Sequence, residues 1–114
     1  MNDYELQFLI MVETDIELGL LFSKLIDDLP DSHRESSWSF RWKGNICMIL
    51  LNEDHDVNEL NGEDGYLYYK FRIELSPIKD CTIEEQISMA KYLEKYLSSF
   101  AEEVAICADF EELL

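Results

Sequence analysis

The chain has little of what catalytic and nucleic-acid-binding proteins are built from. Its 114 residues hold four glycines, two prolines, three cysteines, two histidines and nine Lys and Arg together. So few glycines leave no glycine-rich phosphate loop. Cys47, Cys81 and Cys107 are odd in number and far apart, which argues against a disulfide framework and against a zinc site. Each reads as a small buried hydrophobe in a reducing compartment. His33 and His55 stand alone, with no His-x-x-x-His or His-Glu-x-x-His spacing to scaffold a metal. The longest apolar runs, such as ICMILL, are too short to cross a bilayer. The opening MNDYELQFLI has neither a basic nor an apolar signal region, so the expected location is the cytoplasm.

What is abundant is acid. Twenty-five Asp and Glu against nine Lys and Arg give a formal net charge of -16. Such a surface repels nucleic acid and anionic membrane, leaving solubility or a basic protein partner as its use. Hydrophobic residues make up 47% of the chain, enough for an ordinary core in one domain spanning residues 1–114.

Periodicity supplies the elements. Tyr4, Leu6, Phe8, Ile10 and Val12 alternate as the core face of a first strand. Thr14-x-x-Glu17 reads as a capping box for a helix with Leu18, Leu21, Phe22, Leu25 and Leu29 on one stripe, ended by Pro30. Trp38, Phe40 and Trp42 form the inner face of a second strand, and Gly44-Asn45 a hairpin turn into ICMILL, apolar on both faces. YLYYKFRIEL follows as a strand with Leu67, Tyr69, Phe71, Ile73 and Leu75 inward. Thr82-x-x-Glu85 caps a second helix carrying Ile83, Ile87, Ala90, Leu93 and Leu97, with Met89, Tyr92 and Tyr96 beside them. VAICADF closes the chain as a last strand. The order β-α-β-β-β-α-β predicts an α+β two-layer sandwich: a five-stranded, mainly antiparallel sheet with two helices on one face, resembling a split βαβ. The uncovered face then shows Glu5, Gln7, Leu9, Met11, Ser39, Arg41, Lys43, Tyr68, Lys70, Arg72 and Glu74. It is either a set of cross-strand ion pairs or a mixed polar and aromatic docking face.

The motifs with chemistry in them fail on inspection. Asp54-x-Asp56-x-Asn58 opens like an EF-hand, but Glu59 and Gly65 stand where that loop needs Gly and a bidentate Glu. Ser88-x-x-Lys91 falls inside a helix without companion motifs. No catalytic residue, metal ligand or cofactor-binding residue is assigned. The candidate partner-binding residues lie in NEDHDVNELNGEDG and just after it: Glu53, Asp54, Asp56, Glu59, Glu63, Asp64, Tyr66 and Tyr68. Six carboxylates there attract a basic protein at long range, and tyrosines at the rim bury area at small entropic cost. Two other acidic stretches, Asp27–Glu35 and Glu102–Glu112, flank other elements, and the first is expected to meet the loop at one edge of the fold.

Small size, strong acidity, the two-layer pattern and the ending ICADFEELL resemble immunity proteins of bacterial polymorphic toxin systems, including contact-dependent inhibition. The resemblance implies a cytoplasmic antitoxin that binds one cognate toxin domain and blocks it. The charge of -16 points to a basic nuclease as that toxin, and the lack of a catalytic motif to a protein that is not an enzyme. A phage-encoded acidic mimic of nucleic acid, inhibiting a host or CRISPR effector, shares the same features. A small ligand-binding domain or enzyme with Trp38, Trp42, Tyr92 and Tyr96 around a pocket is the third reading.

Overall fold

The computed structural model describes residues 4–114. Strand β1 (Phe8–Glu13) leads into helix α1 (Leu18–Asp28). Three strands follow: β2 (His33–Arg34), β3 (Ser39–Trp42) and β4 (Asn45–Leu51). A long loop then reaches β5 (Phe71–Pro77), helix α2 (Ile83–Ser98) and β6 (Glu103–Ala108). The strands form one sheet in the order β2-β3-β4-β5-β1-β6, and every neighbouring pair is antiparallel. The fold class is α+β with an open antiparallel sheet. It has six strands, not the expected five: the addition is β2, two exposed residues paired with Phe40 and Arg41. So short a strand leaves no periodic signal in sequence. β5 and β6 both run antiparallel to β1 between them, so β5-α2-β6 is a βαβ unit split by β1.

Both helices bury their apolar stripes on the same sheet face. Leu21, Phe22 and Leu25 of α1 and Met89, Ala90, Leu93 and Leu97 of α2 join Phe8, Ile10, Phe40, Trp42, Ile49, Phe71 and Ile73 in one core. The C-terminal Phe110 closes its end, edge-on to Phe8 at 5.5 Å between ring centres. Burying residues of this size stabilises the fold by roughly 1.5–3 kcal/mol each before chain entropy is counted.

The two helix starts differ. Thr82 and Glu85 form the predicted capping box, with Glu85 N–H donating to Thr82 Oγ1 at 3.1 Å and Thr82 N–H to Glu85 Oε1 at 3.0 Å. Thr14 does not cap α1. It is buried and accepts from Ile16 N–H at 3.3 Å, a short hydroxyl turn that delays the helix until Leu18, with Glu17 as an N-cap lacking any side-chain bond. The hairpin turn is Lys43-Gly44, one residue earlier than the spacing suggested. Both take positive φ (49° and 76°), as the two-residue turn matched to strand twist requires. Asn45 is thereby freed to enter β4, where it is buried opposite Gln86 of α2. Asn45 Nδ2 donates to Gln86 Oε1 (3.1 Å), and Gln86 Nε2 donates to Asn45 Oδ1 (3.0 Å) and to the Leu6 carbonyl (3.0 Å).

Two further expectations are corrected. Trp38 is 44% exposed, in a bend before β3, and only its edge meets Phe22. Tyr66, Leu67 and Tyr68 are not strand: Gly65–Tyr68 is a 3₁₀ turn, and the strand starts at Phe71. The uncovered face is also more apolar than expected. Ile46, Met48 and Leu50 of β4 and Leu9 and Met11 of β1 surround Arg72 and Glu74. Arg72 stands across from Met11 and Leu50, and its carboxylate neighbour is Glu74 on its own strand, 3.0 Å away. Cross-strand ion pairing therefore accounts only for the β2–β3 margin of this face, where Arg41 meets Glu35, and not for its centre.

Candidate functional site: the acidic end of the sheet

Strand register decides which acidic residues meet. Leu51, the last residue of β4, pairs with Phe71, the first of β5; Val12 pairs with the same Phe71; and Glu13 pairs with Glu103, the first residue of β6. The ends of four strands thus share one side of the sheet. The 52–70 connection projects from it, flanked by Glu13 at the end of β1 and by Glu102 and Glu103 where β6 begins. Glu102 N–H donates to the Glu13 carbonyl at 2.9 Å, tying two of these segments together.

The Asp27–Glu35 stretch does not join them. Asp31 lies beside His33, Lys43 and Gly44, at the hairpin end of β4, opposite the end that carries the loop. Asp28 takes hydrogen bonds from Tyr96 and Lys24, and Glu35 pairs with Arg41. The C-terminal stretch divides: Glu102 and Glu103 join the acidic end, whereas Asp109 accepts from Glu5 N–H (2.9 Å) and Glu112 from Tyr4 Oη–H (2.8 Å) at the far end of β6.

The loop is folded. Asn52 is its anchor: its Nδ2 donates to the carbonyls of Leu67 and Tyr69, both at 2.8 Å, and its backbone N–H to the Lys70 carbonyl, also at 2.8 Å. Its Oδ1 accepts from Asp54 N–H at 3.1 Å. Asp56 caps a 3₁₀ turn over Val57–Glu59 by accepting from Asn58 N–H at 2.9 Å, and its own N–H reaches the Tyr68 carbonyl at 3.2 Å. Gly65 is buried against the Leu60 carbonyl, which would lie 2.1 Å from any Cβ placed there. Glu13 holds the base of the loop, with Oε1 accepting from Lys70 N–H at 2.8 Å and standing 3.4 Å from His55 Nε2.

Among the predicted residues, Glu53, Asp54, Glu59, Glu63 and Asp64 are exposed and turn their charge to solvent. Asp56 is half-buried and spends one oxygen on the cap; Tyr66 is exposed and Tyr68 half-buried. Apolar side chains stand among them: Leu51, Val57 and Leu67 are 56%, 63% and 48% exposed. A recess of about 330 Å³ opens where the loop meets the uncovered face, lined by Leu50, Leu51, Glu53, Asp54 and Arg72. Tyr69 is buried beneath. Its phenol is pushed above its ordinary value first by burial and then by Glu103 and Glu13, which are register partners across β1 and β6.

Sequence reasoning missed Asn52, Glu13, Gly65 and the pair Glu102–Glu103. Of these only Glu102 and Glu103 fall in an acidic stretch of the sequence, and nothing short of the β1–β6 register connects them to the loop. The four aromatics proposed to line a pocket do not share one: Trp42 and Tyr96 pack in or against the core, and Trp38 and Tyr92 are exposed. Among the described residues no three His, Cys, Asp or Glu side chains form a group able to hold a metal ion, and no helix is long and apolar enough to cross a membrane. Compared with profiles of protein families, with curated proteins and with solved structures, the chain matches none.

Proposed function

We propose that the protein is a binding protein that inhibits a basic partner, in the manner of the immunity proteins of bacterial toxin systems. The acidic end of the sheet steers and seats that partner. The observation that carries this reading is the convergence of carboxylates from the β1 end, the 52–65 loop and the α2–β6 junction on one end of the fold, around exposed Val57, Tyr66 and Leu67. Charge of one sign speeds encounter with the opposite sign, and apolar side chains inside the charged rim supply short-range affinity. A cleft that binds nucleic acid in a nuclease toxin has the complementary charge. In this reading the protein acts in the cytoplasm, does no chemistry of its own and needs no cofactor.

The test is calorimetry against the toxin domain encoded beside the gene, at low and at high salt. Tight one-to-one binding that weakens as salt rises is the expected result. Absence of binding, or affinity indifferent to salt, overturns the reading.

A further inference from the structure

The two edges of the sheet are finished differently. β2 is two residues long, exposed, and carries His33 and Arg34, a blunted edge of the kind that discourages pairing with other chains. β6 is six residues long and paired with β1 at every register position from Glu103–Glu13 to Ala108–Phe8. Every second residue of such a strand turns its N–H and C=O away from its neighbour. Among the described residues no strand pairs with that outer side. No Lys, Arg or Pro occurs from Leu97 to Leu114, so the usual protections are missing. The tail does not cover the edge either: Phe110 turns inward to Phe8, and Asp109 and Glu112 hold the chain ahead of β1.

We propose that the outer edge of β6 is a docking edge for an extended strand of the partner protein, apolar in its middle and bearing Lys or Arg at both ends. Charge selects this occupant. Val104–Ala108 carries no charged residue, but exposed Glu102 and Glu103 precede it and exposed Asp109 and Glu111 follow it. A second copy of the chain, paired in either direction, would set carboxylates against carboxylates at both ends. A strand with basic ends reverses that repulsion while the unpaired backbone groups form a ladder. The partner's identity rests on the proposed function above; the edge itself does not.

The test uses the full chain, labelled with nitrogen-15, and a synthetic peptide of alternating valine and threonine flanked by lysine pairs. Saturating peptide is expected to slow exchange of alternate β6 amides at least about tenfold, and a glutamate-flanked version should bind at least about tenfold more weakly at low salt. Ala105→Pro and Ile106→Pro separate docking from folding. Strand register leaves Met11 to bond Ala105 and turns the Ile106 N–H outward. Ile106→Pro should therefore lose the peptide while unfolding no earlier than Ile106→Ala, which gives up the same core contact but keeps the N–H and the peptide. Ala105→Pro instead loses a β1 hydrogen bond and lowers the midpoint. Peptide shifts confined to the 52–65 loop, unchanged β6 exchange, or β6 protection that grows with protein concentration without peptide each overturn the proposal, the last by showing a second copy at the edge. The peptide result stands whether or not the toxin domain binds in calorimetry, so failure of one reading is distinguishable from failure of the other.

Discussion

Asn52→Ala separates the shape of the acidic loop from its charge. The substitution removes a neutral amide, so the net charge of the chain is unchanged. It deletes three side-chain hydrogen bonds: two donations at 2.8 Å to the Leu67 and Tyr69 carbonyls and one acceptance at 3.1 Å from Asp54 N–H. A net contribution of about 0.5–1.5 kcal/mol applies to each, and water replaces the two exposed bonds more readily than the half-buried bond to Tyr69. The sum is about 2 kcal/mol, and it falls on the loop, because the backbone bond from Asn52 to Lys70 and the β4–β5 ladder remain. An opening equilibrium shifted by about 2 kcal/mol makes the loop amides exchange roughly 30-fold faster.

Hydrogen exchange of the Asp56 and Gly65 amides, which bond within the loop, reads this directly. Exchange in β4 and β5 should stay as it was. Association with a basic partner at low salt should stay within about twofold, since steering acts over roughly 10 Å and the carboxylates have moved by less. Unchanged loop exchange would show that Asn52 is not the anchor. Faster exchange spreading through β4 and β5 would refute the loop as a separate unit, and an on-rate that collapsed with the anchor would refute steering by charge.

Charge reversal is the complement: Glu53, Asp54, Asp56 and Glu59 all changed to Lys should slow association about tenfold or more at low salt, with the difference vanishing at high salt in stopped-flow mixing. Gln86→Leu strips the partner from buried Asn45 Oδ1 and from the Leu6 carbonyl, and should cost about 2–4 kcal/mol in urea unfolding, part of it regained when Asn45 is also made apolar. Gly65→Ala should destabilise the loop because the Leu60 carbonyl occupies the Cβ position, whereas Gly19→Ala, with open space around it on α1, should stabilise by about 0.5–1 kcal/mol. The hydrogen bond from Tyr96, then that from Lys24, holds the Asp28 carboxyl below its ordinary value. The unfolded chain therefore takes up that proton first, and the pair's stabilisation is present above the usual carboxylate range and lost as pH falls through the depressed value. The difference in melting temperature between the native protein and Tyr96→Phe should accordingly shrink on acidification.

The repeating elements were legible because burial imposes a period. Phe8, Ile10 and Val12 of β1, Phe71, Ile73 and Leu75 of β5, and Ala90, Leu93 and Leu97 of α2 all lie in the predicted core. The failures occur where a side chain serves the backbone rather than the core. Thr14 has the spacing of a cap, yet its hydroxyl is taken by Ile16 N–H. Tyr66, Leu67 and Tyr68 continue the alternation of β5, yet Asn52 captures the Leu67 and Tyr69 carbonyls and bends the segment into a turn. Gln86 occupies a polar position on the helix but is buried because Asn45 and the Leu6 carbonyl satisfy its amide. The acidic loop was visible as composition; its partners Glu13, Glu102 and Glu103 come from distant parts of the chain and meet it only through strand pairing.

Charge of one sign gathered at one end weakens the fold by self-repulsion, and the way that repulsion is contained bears on function. At the hairpin end, acids have cationic neighbours: Arg41 pairs Glu35, and Lys43 and Lys79 border the recess that Asp31 lines. At the loop end the neighbours are His55, against Glu13, Lys70, whose backbone N–H rather than its charge meets that carboxylate, and Arg72, which borders the recess of Glu53 and Asp54 but directs its guanidinium to Glu74. A chain selected only for solubility gains as much from acids that are dispersed and locally paired. Here they are concentrated and, among the described residues, form no ion pair, on a loop held in shape by Asn52, Asp56 and Gly65. Keeping such a loop rigid adds nothing to solubility. It lowers the entropy lost when a basic surface is met, because the carboxylates and the exposed Val57, Tyr66 and Leu67 are already placed. Preorganised, uncompensated charge is therefore the physical ground for the proposal that this end of the sheet meets a partner, and loop exchange measured beside association rates puts the two halves of that statement to separate tests.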